Sequence, residues 1–227
     1  MDGGGFEKMT KIAKNHITSA HYIIGPKRHL SMLPACRAVL VEWPMPFSEG
    51  IKLILQRRGQ PCVMLTSGDP FWFGAGSQIT AHLAQEEWLA IPNQSCFSLC
   101  AAELGWALEK TVCIGLHASP ISKLRPYLNA NRKIMATMRN GASVKELAAY
   151  LCDIGFGSTH ITCLEELGGV NQRITKGYAN ELLDKNYMHP VMVALNISGN
   201  GKTMQSSSGL PDSLSLIHIS EPTRPID

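Results

Sequence analysis

Residues 62–76 read Cys-Val-Met-Leu-Thr-Ser-Gly-Asp-Pro-Phe-Trp-Phe-Gly-Ala-Gly. A short apolar run passes into a turn of glycine, aspartate and proline, and two glycines open the next element. The run is too short for a buried helix and predicts a buried strand. Gly68 lets another group come close to the backbone. Asp69 offers a carboxylate, and Pro70 fixes the turn. A strand, a sharp turn and a helix start packed this closely commit the chain to an α/β architecture.

The alternation continues on both sides. β-rich runs occur at 21–24, 38–42, 62–66 and 88–91, with helical patterns at 47–58, 75–84 and 95–104. Ahead of them Met9, Ile12, Ala13, Ile17 and Ala20 recur at helical spacing. A second set of strands is expected at 111–116, 133–138, 159–164 and 191–197. Its clearest helix spans 144–152, where Ser143 and Glu146 form a capping-box pattern, and Gly155-Phe156-Gly157 supplies a stop. The pattern predicts two α/β domains, each a mostly parallel sheet flanked by helices, with a ligand cleft between them. Residues 1–112 form the first, 113–200 the second, and 201–213 a loop.

Bulk properties narrow the function classes. Of 227 residues, 44% are hydrophobic and 17% charged, the balance of a globular domain. No apolar stretch approaches the roughly 18 residues of a membrane span, so no membrane association is expected. The start carries no secretory signal. The seven cysteines include no Cys-x-x-Cys pair, which predicts reduced thiols, a cytoplasmic protein and no metal site. A net charge of +3, with its Lys and Arg dispersed, argues against nucleic-acid binding.

In open α/β sheets, ligands bind beyond the carboxyl ends of the strands, where residues 67–76 fall. The alternative is a plain turn with Asp69 capping a helix. The segment is neither a Walker loop nor the Gly-x-Gly-x-x-Gly dinucleotide fingerprint.

This loop resembles the Gly-Asp-Pro loop of the tetrapyrrole methylase family, which binds S-adenosylmethionine between two α/β domains. The likeness extends to Ile24-Gly25-Pro26-Lys27-Arg28-His29-Leu30, Arg58-Gly59, Gly155-Phe156-Gly157 and Glu165-Glu166-Leu167-Gly168-Gly169. Its most specific stretch is Ser95-Cys96-Phe97-Ser98-Leu99-Cys100-Ala101-Ala102-Glu103-Leu104-Gly105-Trp106. It covers about residues 2–212. Three positions depart from the family pattern: Ala118-Ser119 follow Leu116-His117 in place of Gly-Arg, and Gln172 stands where a Glu is usual.

The resemblance implies a C-methyltransferase acting at C5 of a precorrin in cobalamin biosynthesis. Another precorrin carbon, or an inactive cofactor-binding fragment, are the alternatives. It implies that Gly68, Asp69, Pro70, Trp72, Ser95, Cys96, Thr137 and Met138 surround the cofactor. Read without the family, Ser95 is a helix N-cap, and Thr137 and Met138 are strand residues in ordinary packing. Methyl transfer from a sulfonium is an in-line displacement that depends on positioning, so no nucleophilic triad is expected. The polycarboxylate substrate calls for basic groups. Lys27, Arg28, Arg139 and Arg173 are the candidates, each also readable as a surface charge. His117 is a candidate proton acceptor or a structural histidine. Trp43 and Trp106 read as core. A homodimer is expected, and some relatives carry a second, decarboxylating methyltransferase domain.

Both ends read as non-native. The glycines at 3–5 resemble a strand-to-helix loop with no strand before it, which suggests a first strand lost upstream. Residues 214–224 resemble a translated sequencing adapter, so 214–227 are set apart from the fold.

Overall fold

A computed structural model of the chain describes residues 4–203. The adapter-like tail at 214–227, and most of the loop expected at 201–213, lie outside those residues.

The first half opens with α1 (Lys11–Ser19), where the Thr10 hydroxyl accepts from the Ala13 amide at 3.2 Å. Then come β1 (Tyr22–Gly25), α2 (Lys27–Leu30), β2 (Val39–Glu42), α3 (Phe47–Leu55), β3 (Cys62–Met64) and α4 (Gly76–Thr80). The three strands form a parallel sheet in the order β2-β1-β3. Ile17, Ala20, Ile23 and Leu65 make its small core. The helix expected at 75–84 is only α4. The strand expected at 88–91 does not form.

α5 (Cys96–Leu104) leads into the second half. That half contains β4 (Val112–Gly115), β5 (Lys133–Thr137), α6 (Gly141–Asp153), β6 (His160–Glu165), β7 (Arg173–Tyr178) and β8 (Val191–Asn196). The five strands are ordered β4-β5-β8-β6-β7. Only β4 and β5 are parallel, which corrects the expectation of a mostly parallel sheet. The cause is local: β7 returns antiparallel beside β6, and β8 inserts between β5 and β6.

The second sheet is covered on both faces, and strand alternation sorts its side chains. Ile134 and Ala136 of β5, with Val191, Val193 and Leu195 of β8, pack toward Val144, Leu147 and Leu151 of α6. Met135, Met192 and Ala194 point the other way, onto Phe97, Cys100 and Ala101 of α5. α6 begins one turn earlier than its sequence pattern suggested. Asn140, not Ser143, is the N-cap: its carboxamide oxygen accepts from the Ser143 amide at 3.0 Å, and Ser143 Oγ accepts from the Asn140 amide at 3.2 Å.

The two halves meet through short polar links. Lys8 Nζ donates to the Gly168 carbonyl at 2.7 Å. Gln172 joins Glu103 of α5 (3.2 Å) to the Gly168 amide (2.8 Å). Among the described residues, no helix is long and apolar enough to cross a membrane.

Candidate functional site

The Gly-Asp-Pro loop leaves the carboxyl end of β3 and folds against the start of α5. Gly68 has a φ of +56°, and a Cβ there would lie 3.1 Å from the Gln94 carbonyl oxygen and from Ser95 Cα. Only glycine allows both the conformation and the approach. The Asp69 carboxylate accepts from the Phe71 amide at 2.8 Å, an Asx turn that tightens the loop. Gly76 N–H donates to the Pro70 carbonyl at 2.8 Å, and a Cβ at Gly74 or Gly76 would strike that same oxygen. The glycines therefore let the loop close on itself and hand over to α4.

Phe71, Trp72 and Phe73 ride on this closed turn and remain nearly half exposed. The rings of Trp72 and Phe73 lie 5.9 and 5.7 Å from that of Phe97 on α5. Phe73 adopts a φ of 54°, an uncommon conformation for a bulky residue, and its ring would meet a Cβ at Gly115 at 2.9 Å. Gly115, ending β4, is the point where the aromatic loop of the first half reaches the second sheet.

Ser95 is buried and caps α5, its Oγ accepting from the Ser98 amide at 3.1 Å. Cys96 follows it with a thiol pushed up to about 11 by burial, so it is a protonated side chain and no nucleophile at neutral pH. Across the seam, the His117 Nδ1 and Thr137 Oγ1 lie 3.0 Å apart, joining the ends of β4 and β5. Partial burial and the nearby Lys123 lower the His117 pKa below 6.5. The Met138 side chain points into the α6-side core and its amide donates to the Val191 carbonyl. Thr137 thus lies by His117 on the seam, whereas Met138 offers the site only its backbone.

The four basic candidates are placed differently from one another. Lys27 and Arg139 are exposed, with no side-chain hydrogen bond or ion pair among the described residues. Arg173 lies directly opposite Glu165 in the β6–β7 pairing and binds it with two nitrogens. Glu165 is fully buried and also accepts from the Met188 amide at 2.6 Å. Burial alone would raise its pKa, but the Arg173 guanidinium and the amide outweigh that, and the carboxyl is held below its ordinary range. Arg28 is half-buried, and its Nη2 donates to His29 Nε2 at 2.9 Å.

His29 is the residue that pattern reading passed over. It is 1% exposed, and Ser67 Oγ, at the start of the Gly-Asp-Pro loop, lies 3.2 Å from the same Nε2. A guanidinium only donates, so Nε2 is an acceptor and the ring is neutral with its proton on Nδ1. Burial, then the charge of Arg28, lower its pKa to about 4. His29 thereby ties α2 to the loop. The only sequence signal for it was its place in the 24–30 segment.

Comparisons with known proteins bear on the family and the fold. The sequence profile of the tetrapyrrole (corrin/porphyrin) methylases matches residues 3–183. The chain is 33% identical over 208 residues to a precorrin-6Y C(5,15)-methyltransferase [decarboxylating] of Sinorhizobium sp., covering 89% of this chain and 50% of that protein. It is 28% identical over 174 residues to a cobalt-precorrin-7 C(5)-methyltransferase of Salmonella typhimurium, covering 77% of this chain and 86% of that one. It spans about half the length of the Sinorhizobium relative. The fold is shared with the uroporphyrin-III C-methyl transferase of Thermus thermophilus solved with S-adenyl homocysteine, at a TM-score of 0.67 and 20% identity over 86% of this chain and 94% of that one. It is also shared with a precorrin-6Y methylase of Archaeoglobus fulgidus, at 0.62 and 19% over 87% and 95%. With a profile match over most of its length, two α/β sheets and the Gly68–Ser95 turn at their seam, this chain belongs to the tetrapyrrole (corrin/porphyrin) methylases.

Proposed function

We propose that this chain is an S-adenosylmethionine-dependent C-methyltransferase that methylates C5 of a precorrin in cobalamin biosynthesis. The observation that carries the reading is the contact of Gly68 with Ser95. It brings a glycine turn, an aspartate and a capped helix start together at the carboxyl end of a parallel sheet, where ligands of such sheets bind.

The residues present fit the cofactor. The backbone at Gly68 has no side chain to fend off a ligand, Asp69 supplies a carboxylate for an ammonium, and Trp72 supplies an apolar wall. Ser95, Cys96, Pro70, Thr137 and the Met138 backbone complete the set. When bound, S-adenosylmethionine supplies a methyl group carried on a sulfonium. The chain's own task is to hold donor and acceptor in line and to exclude water. A neutral His117 whose Nδ1–H donates to Thr137 has Nε2 free to take the proton that the tetrapyrrole releases. The lowered pKa supports that role by keeping the ring unprotonated at neutral pH. Lys27, Arg28 and Arg139 supply positive charge for the substrate's carboxylates. Arg173 takes part while it remains paired with Glu165.

The decarboxylating name of the half-matched Sinorhizobium relative supports a second methyltransferase domain or subunit as partner. A homodimer follows from the family resemblance. Seven free thiols fit a cytoplasmic setting.

Calorimetry with S-adenosylmethionine and S-adenosylhomocysteine tests the cofactor. Mass spectrometry and NMR of the product from a precorrin substrate test the carbon methylated. Binding with methylation elsewhere on the ring would move the activity to another precorrin carbon, and no binding would overturn the reading.

A further inference from the structure

His29 Nε2 holds two donors at once. Arg28 Nη2 stands 2.9 Å from it and Ser67 Oγ 3.2 Å. The ring is buried. A neutral imidazole has one lone pair for hydrogen bonding, in the ring plane at its unprotonated nitrogen. Two donors therefore share a single acceptor site, and neither bond is complete. The shorter contact is the guanidinium's.

The two donors belong to different parts of the site. Ser67 opens the loop that runs on to Gly68 and Asp69. Gly68 in turn leans on the Gln94 carbonyl and on Ser95, so the position of Ser67 sets how the loop meets α5. Arg28 lies on α2, just beyond the carboxyl end of β1. Its charge is felt across the seam. Partial burial, then the Arg28 guanidinium, hold the pKa of His189, ahead of β8 in the second half, below 6.5. One donor thus belongs to the cofactor loop and the other to the seam where a second substrate enters.

We propose that His29 is a positioning residue that couples the cofactor to the tetrapyrrole by passing its one lone pair between Arg28 and Ser67. The inference rests on the methyl-transfer reading. When a carboxylate of the tetrapyrrole engages Arg28, a charge-assisted, bidentate pair outcompetes the neutral imidazole for the guanidinium. Nε2 then accepts from Ser67 alone. That bond shortens and fixes the head of the loop against α2, and S-adenosylmethionine meets a loop already ordered for it. No proton changes hands: the ring stays neutral, with its hydrogen on Nδ1. The coupling is reciprocal, so the cofactor tightens the carboxylate ligand by the same factor.

The test measures S-adenosylhomocysteine binding to the full chain by calorimetry, alone and with saturating uroporphyrin as the polycarboxylate probe. We expect the probe to lower the Kd by about fivefold. Arg28→Met removes the competing donor and keeps an aliphatic stem, so it should lower the Kd by a similar factor with no probe present. Ser67→Ala should leave the Kd insensitive both to the probe and to Arg28→Met. A merely structural histidine gives the opposite result, since losing its Arg28 partner loosens α2 and weakens binding. An unchanged or raised Kd in folded Arg28→Met overturns the proposal. So does a probe that fails to bind or binds without shifting the Kd, and so does a coupling that survives Ser67→Ala. In each of these S-adenosylhomocysteine is still bound and the methyl-transfer reading stands. Absence of binding to the unaltered chain, alone and with the probe, overturns both.

Discussion

Gly68 and Ser95 meet backbone to backbone, with room for a hydrogen but none for a methyl group: a Cβ at 68 would stand 3.1 Å from Ser95 Cα. Gly68→Ala forces either the loop or the start of α5 to move and places a Cβ on a left-handed residue. We expect a loss of about 1–2 kcal/mol of stability and a weakening of S-adenosylmethionine binding by about tenfold or more. Denaturant titration and calorimetry read the two effects. An unchanged Kd would remove this contact from the cofactor site.

His29 makes stability depend on pH. Its folded pKa of about 4 lies below the ordinary 6.5, so between those values the unfolded chain binds a proton that the folded chain refuses. Stability is full above pH 6.5 and falls as pH drops toward 4, by at most about 3 kcal/mol for this group. His29→Gln should flatten that slope, as measured by urea midpoints across the window. A slope that survives the substitution would assign it to other groups.

Arg173 leaves Glu165 buried when it is removed. Arg173→Ala strands the buried carboxylate with the Met188 amide alone, and we expect a lowered urea midpoint, moderated because the guanidinium is half exposed to solvent. Arg173→Lys should recover part of it. If urea unfolding is unchanged in the alanine variant, the pair contributes nothing to the fold and the arginine is free to serve substrate only.

The proton-acceptor role of His117 has a kinetic signature. A base must be unprotonated, so kcat should rise with pH through the His117 pKa, which lies below 6.5. In His117→Gln that acid limb should vanish and kcat should drop by about a hundredfold. Thr137→Val should shift the limb without abolishing it. A pH profile identical in all three proteins would make His117 structural.

The elements legible in sequence were those whose residues carry their own period or punctuation. The 133–138 and 191–197 runs became β5 and β8 because both faces of the second sheet are buried, and the Ser95 cap announced α5. The misses depended on partners far along the chain. Residues 88–91 have a strand's composition, but among the described residues no neighbour pairs with them. β7 reads as Arg-Ile-Thr-Lys-Gly-Tyr, with a charge and a glycine breaking any apolar pattern. It is a strand because β6 lies beside it. The Glu165–Arg173 pair follows from that register, and His29 from a packing contact with Ser67. Neither distance is written in local spacing.

The two halves differ in their anchorage. α5 is bolted to the second sheet through Phe97, Cys100 and Ala101, whereas the Gly68 turn hangs from a three-stranded sheet with a small core. One wall of the pocket is therefore set in bedrock and the other is hinged. On heating, the hinged wall should let go first. A bound methyl donor would then register as a delayed early melting step in the first half, while the second half unfolds at its own temperature.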